Sequence, residues 1–129
     1  MNPPNARKAR ILVVDDDPSL RDLLGLHLRS AGYEVQLAED AIEAGYRVLE
    51  RAPDLIVCDV NMPYMDGFEF VSALKADTTL PYIPVIFLTS REDGDLRGNE
   101  LGAVAYVIKP VRVEALLRVV AQHLPGDAT

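Results

Sequence analysis

The chain has 129 residues, the size of one domain, with 49% hydrophobic and 26% charged residues, a balance that excludes disorder and predicts a soluble globular fold. Twenty acidic against 13 basic side chains give a net charge of −7, which repels phosphate backbones and argues against direct nucleic-acid binding. No apolar run approaches the ~20 residues of a membrane span, and the single cysteine, Cys58, excludes an intrachain disulfide and fits a reducing, cytoplasmic setting.

Residues 1–9 lack the apolar core of a secretory signal and are expected to be a disordered lead. Ile11-Leu12-Val13-Val14 is a continuous aliphatic run, the pattern of a buried strand. Asp17-Pro18 supplies an N-cap and a first helical residue. Leu20, Leu23, Leu24 and Leu28 follow at helical spacing until Gly32 stops the helix, with Leu24 and Leu28 expected inside and Leu20 nearer the surface. Tyr33 to Ala38 predicts a second strand. Asp40 with Glu43 resembles a capping box and opens a second helix to about Arg51. Asp54 to Asp59 predicts the third strand, in which Cys58 reads as a core thiol. Asp66-Gly67 opens a third helix through about Ala76.

Ile83 to Leu88 predicts a fourth strand, entered through Pro81 and Pro84. Residues 91–101 predict a weak fourth helix, because Gly94 and Gly98 each cost about 1 kcal/mol relative to alanine. Val104 to Ile108 predicts the fifth strand. Val111 to Leu124 predicts the last helix, with Val113, Leu116, Leu117, Val120 and Ala121 on one side. The expected domain is therefore 10–124, and 125–129 is a tail or the start of a linker. Strands 1, 3, 4 and 5 are apolar nearly throughout, as in a parallel sheet covered by helices on both faces. Five βα units with right-handed crossovers predict a doubly wound α/β fold, with any site at the carboxyl ends of the strands.

The stretch DLIVCDVNMPYMDG places a carboxylate, Asp59, at the end of an apolar strand. Strand 1 ends in Asp15-Asp16-Asp17, strand 4 in Thr89-Ser90 and strand 5 in Lys109-Pro110. A parallel sheet gathers these ends on one edge. Carboxylates held together raise one another's pKa unless a cation sits among them. Oxygen-only ligands favour a hard ion, Mg2+ with Mn2+ as its substitute, that accepts carboxylates and keeps waters for an incoming phosphoryl group. Metal, ammonium and hydroxyl together can neutralise the oxygens of a transferring phosphoryl group, and a carboxylate can be its acceptor. Each piece alone has an ordinary reading. Asp17 caps a helix, Tyr106 is by default a half-buried strand residue, and His27 and His123 are helical surface or packing residues.

The pieces ILVVDDDPSLR, PDLIVCDVNMPYMDG, IPVIFLTS and LGAVAYVIKP together resemble the receiver domain of two-component response regulators, from Arg10 to about Leu124. The resemblance implies a flavodoxin-like (βα)5 sandwich of strand order 2-1-3-4-5. It implies that Asp59 is the phosphoacceptor, fed by a histidine kinase or phosphotransfer protein. Asp16 would ligate the metal directly and Asp15 largely through water, with Asp59 and the Asn61 backbone carbonyl completing the protein ligands. Lys109 would pair with Asp59 and then a phosphoryl oxygen, and its bond to Pro110 is expected to be cis. Thr89 would bond the phosphoryl group, Tyr106 would swing inward behind it, and Gly67 would be structural. Such a receiver is a regulatory module that promotes its own phosphorylation and dephosphorylation, with Asn61 and Arg91 at tuning positions. Its output face would be the fourth helix, fifth strand and last helix, with Arg97, Val104, Tyr106, Val113 and Arg118 as contacts to an unknown downstream protein or linked output domain. Ser19, Leu20, Leu23 and Leu26 correspond to kinase-contacting positions, although the leucines could equally be core. The chain would be a monomer or pair with a second copy on phosphorylation.

Val104-Ala105 replaces the acidic pair common in winged-helix members, Val111 follows Pro110 where phenylalanine is common, and KADTTLPYIPVIFLTS is closer to free-standing or kinase-linked receivers. Three other functions compete. A metal-dependent phosphatase with an aspartyl-phosphate intermediate usually needs an acid where Asn61 stands. A flavin-binding module of the same fold would tolerate an acidic loop after strand 1 poorly. An inactive receiver would act as a phosphorylation-independent binding module.

Overall fold

A computed structural model describes residues 8–90 and 102–124. The described elements are β1 (Arg10–Val14), α1 (Pro18–Ser30), β2 (Glu34–Ala38), α2 (Ala41–Glu50), β3 (Leu55–Asp59), α3 (Gly67–Ala76), β4 (Val85–Thr89), β5 (Ala105–Ile108) and a last helix, Val113–His123. The expected fourth helix at 91–101, with Arg91 and Arg97, lies outside the described residues. The sheet is parallel throughout and ordered β2-β1-β3-β4-β5, the expected flavodoxin-like arrangement. No described helix is long and apolar enough to cross a membrane.

The aliphatic runs become strands because both faces of the sheet are covered. One core cluster joins Leu12, Val14, Ile56, Cys58, Val85 and Phe87 to α2 and α3. The other joins Ile11, Val13, Leu55, Val57, Ile86 and Leu88 to α1 and the last helix. Alternate residues of β1, β3 and β4 thus serve opposite layers, and every position of these three strands is buried.

Local chemistry sets the helix starts. The Asp17 carboxylate accepts from the backbone N–H groups of Ser19 and Leu20, with Pro18 at the first helical position. Asp66 and Glu69 form a reciprocal capping box at α3, which the D-x-x-E spacing could have announced. At α2 the expected box is only half present. Asp40 accepts from Glu43 N, but the Glu43 carboxylate accepts from Glu39 N, one residue further back. Gly32 ends α1 with a left-handed φ of 103°.

Several expected boundaries shift: β2 begins at Glu34, not Tyr33, and β3 at Leu55, not Asp54. β4 begins at Val85, not Ile83, because Pro84 has no N–H to donate to a ladder. β5 begins at Ala105, one residue late. The last helix begins at Val113, since Arg112 is its N-cap. On that helix Leu116 and Val120 are buried, whereas Ala121 faces solvent, and on α1 Leu23 is exposed while Leu24 and Leu28 are core.

Gly67 fixes the loop after β3. Its N–H donates to Val60 O at 2.8 Å, and a Cβ here would collide with the Asp59 carbonyl oxygen and press on Val60 Cα. Both obstacles are backbone, so neither can rotate away. Gly67→Ala is expected to cost about 1–3 kcal/mol of stability, as overpacking does. Urea denaturation measures this; unchanged stability would mean that the loop can shift freely.

Candidate functional site

Parallel strand ends collect the acids on one edge. β1 pairs with β3 so that Val14 lies opposite Cys58, and Asp15 and Asp59 lie near the ends of neighbouring strands. One carboxylate oxygen from each of Asp15, Asp16 and Asp59 can be chosen so that all lie within 4.8 Å of one another. Asp15 and Asp59 are buried, and Asp16 is exposed beside them. Lys109 reaches in from beyond β5, with Nζ 3.1 Å from Asp59 Oδ1 and 3.7 Å from Asp15 Oδ2. The Lys109–Pro110 peptide is cis, as expected.

Several local contacts hold these groups. Asp15 Oδ1 accepts from Asp17 N at 2.9 Å, and Asp15 N donates to Ala38 O at 3.1 Å. Arg21 Nη1 donates to Asp15 O at 3.0 Å, tying α1 to the acidic loop. Sequence reading missed Arg21, and only its place one turn into α1 could have suggested it. Asn61 N donates to Asp59 Oδ1 at 3.3 Å, and Asn61 itself is exposed. Lys109 N donates to Thr89 O at 2.8 Å, so the β5 end is registered against β4.

Thr89 is buried and sits on the same edge, but strand alternation gives it the other face. It shares the parity of Val85 and Phe87, which pack toward α2 and α3, while Lys109 shares that of Val107 on the α1 side. Tyr106 lies opposite Phe87 in the register, its ring stacked on Phe87 at 6.1 Å, and Phe87 meets Phe68 edge-on at 4.9 Å. Tyr106 is half-buried, as the ordinary strand reading expects. Ser19, Leu23 and Leu26 are exposed on α1 and Leu20 is half-buried. Val104 and Val113 are half-buried and Arg118 is exposed.

Burial raises the Asp59 carboxyl from 3.8 to about 6, and the neighbouring Asp15 charge adds to this, against the lowering effects of Lys109 and the Asn61 N–H. Burial likewise raises Asp15, outweighing the Asp17 N–H and Lys109. Burial lowers Lys109, but its hydrogen bond to Asp59 and the surrounding acids more than offset that, so its pKa is raised. Burial and the same acids push the Cys58 thiol well up, which keeps this core thiol inert.

The protein's own cation does not satisfy this cluster. Asp15 Oδ2 is buried with no hydrogen-bond partner. An all-oxygen donor set with an orphaned buried oxygen and raised carboxyl pKa values fits a hard divalent ion.

Comparison with known proteins bears on the same residues. The family model described as response regulator receiver domain matches residues 11–121. The transcriptional regulatory protein PrrA of Mycobacterium tuberculosis is 43% identical over 117 residues, covering 84% of this chain and 50% of its own length. The phosphate regulon transcriptional regulatory protein PhoB of Pseudomonas aeruginosa is 37% identical over 127 residues, covering 92% and 54%. This chain thus spans about half the length of these curated relatives. Among solved structures, the chemotaxis response regulator CheY4 of Vibrio cholerae superposes with a TM-score of 0.85 at 36% identity, over 92% of this chain and 100% of that one. The signal receiver domain of a histidine kinase from Syntrophus aciditrophicus gives 0.78 at 31% identity, over 94% and 96%.

The raised Asp59 pKa predicts an inverted pH dependence for the metal-free protein. A carboxyl that binds its proton more tightly folded than unfolded contributes stability that is full below 3.8 and is lost as pH rises through about 6. In chelator, unfolding free energy should fall across that window by up to roughly 1.4 kcal/mol per pH unit. Asp59→Asn should flatten the fall, and Mg2+ should restore stability at neutral pH in the wild type. Denaturant titrations at several pH values measure this; stability rising from pH 4 to 7 in chelator would contradict it.

Proposed function

The chain belongs to the response regulator receiver family of two-component systems, and on that premise we propose that it is a phospho-switch whose acceptor is Asp59. The observation that carries this reading is the gathering of three carboxylates from two strand ends, two of them paired with one lysine, with a buried Asp15 oxygen left without a hydrogen bond. The donor is a histidine kinase or a phosphotransfer protein, in the cytoplasm, and the working unit spans residues 10–124.

Asp15, Asp16, Asp59 and the Asn61 carbonyl are the residues that would hold Mg2+, or Mn2+ in its place. The ion supplies charge neutralisation to the transferring phosphoryl group. An Asp59 oxygen forms the bond to phosphorus as the donor's P–N bond breaks, and that electron pair returns to the imidazole. The Lys109 ammonium, already beside Asp59, then takes a phosphoryl oxygen. Thr89 donates its hydroxyl to the new group from the neighbouring strand end.

Phosphorylation adds charge and acceptor oxygens where a carboxylate stood. The equilibrium shifts only by the difference in what each state offers that group. Thr89 and Tyr106 share a sheet face with Phe87, so displacement of Thr89 toward the phosphoryl group frees room for Tyr106. The face made by β5 and the last helix then presents a different surface to a downstream protein or linked output domain.

Intact mass after incubation with acetyl phosphate tests the chemistry. One added phosphoryl group is expected with Mg2+, none in chelator and none in Asp59→Asn. Lys109→Ala should reduce acceptance by at least tenfold while leaving the fold intact. If neither a phosphoryl adduct nor a beryllofluoride complex forms, the acceptor assignment fails.

A further inference from the structure

An apolar groove of about 330 Å3 runs between α2 and α3. Gly45, Phe70, Ala73 and Leu74 contribute to its lining, and Ile42, Tyr46 and Leu49 line its α2 side. These last three recur at helical spacing and are 58%, 68% and 67% exposed. α2 is therefore apolar twice over. Ala41, Ala44 and Val48 supply its core face, and the fold makes no use of the second stripe. Scattered exposed apolar residues need no explanation, but a contiguous stripe beside a groove does.

Gly45 is an independent observation. It sits in the middle of α2, where glycine costs about 1 kcal/mol relative to alanine. A Cβ at this position would meet nothing within 4 Å, and its φ is not left-handed. Neither crowding nor backbone conformation within the monomer asks for glycine there. A bare backbone at the groove serves something that approaches closely from outside.

Charge selects the occupant. Asp77 lines the groove, its carboxylate held by Thr79 N at 2.9 Å and Thr79 Oγ1 at 2.6 Å. Glu50 and Glu69 are exposed on the two helices that form the walls. Among the described residues no lysine or arginine lines the groove: Arg47 of α2 lines a separate recess beside β1, and Lys75 of α3 lies over the Tyr82 ring. A second copy would bring the same acids against themselves, in a chain already at −7.

We propose that the α2–α3 groove docks a basic amphipathic helix of a separate partner protein, its apolar stripe packed across Gly45 and its cationic side chains facing Asp77, Glu50 and Glu69. This helix-in-groove mode uses apolar anchors for affinity and the acidic rim for selection. The face is distinct from the one formed by β5 and the last helix, and docking here does not depend on the acceptor chemistry.

A fluorescein-labelled helix of leucine and lysine, about 18 residues long so that it holds its helix, is titrated against the protein by anisotropy. A helix with the same leucine stripe and glutamate in place of lysine is the charge control. The leucine–lysine helix is expected to bind wild type and Asp59→Asn alike, and the glutamate helix at least tenfold more weakly. Leu49→Gln and Gly45→Leu should each weaken binding at least tenfold without lowering the melting temperature. Gly45→Leu should raise it, since it adds helix propensity where there is space. The proposal is overturned by no binding, by equal binding to the variants, or by equal binding of the glutamate helix. A concentration-dependent wild-type dimer lost in Leu49→Gln would also overturn it, assigning the face to a second copy. Loss of binding in Asp59→Asn alone would contradict the independence of the two sites.

Discussion

Two carboxylates buried side by side are the constraint around which the molecule is arranged. Neither Asp15 nor Asp59 can be removed from water without opposing charge, and each makes the other's ionisation harder. The sheet order answers this geometrically. β1 beside β3 brings the acids together, but β5 is two strands from β3, roughly 10 Å at the usual inter-strand spacing. Only a long cationic side chain from the β5 end, on the same face as Asp59, can cross that gap. Lys109 does so, and its ammonium reaches both acids.

That neutralisation is incomplete. One cation paired with two buried acids, with a third, exposed acid beside them, leaves net negative charge and a buried Asp15 oxygen without a hydrogen bond. Folding has therefore left an excess of negative charge at the edge of the sheet, of the kind a divalent cation relieves. Strain of this kind is kept where function needs it, and the core clusters on both faces of the sheet offset its cost.

Pleat parity divides the edge into two. Asp59 and Lys109 belong to the layer of α1 and the last helix, whereas Thr89, Phe87 and Tyr106 belong to the layer of α2 and α3. Thr89 thus stands at the sheet edge near Asp59 while sharing the face on which Tyr106 stacks on Phe87. Gly67 keeps the loop between Asp59 and α3 pressed against the strand end, close to the Asp59 backbone.

Much of this was legible from the residues because it is local. Aliphatic runs read as strands, Asp17-Pro18 and Asp66-Gly67 read as helix starts, and all three strand-end acids were recognisable by position. Cys58 read correctly as a core thiol. Strand order came from family resemblance, since adjacency of β1 and β3 depends on contacts between residues more than 40 apart in the chain. Other features depended wholly on packing. Asp15 is buried and Asp16 exposed although they are adjacent, Glu43 reaches past Asp40 to Glu39, Arg21 fastens Asp15 from the next helix, and α2 carries a second apolar face over an open Gly45. Sequence alone determined which chemical groups stand at the ends of which elements, because caps and periodicity act within a few residues. Only the tertiary structure decided which groups meet, which lose their water and which face remains unpaired, because desolvation and long-range pairing exist only once the strands are side by side.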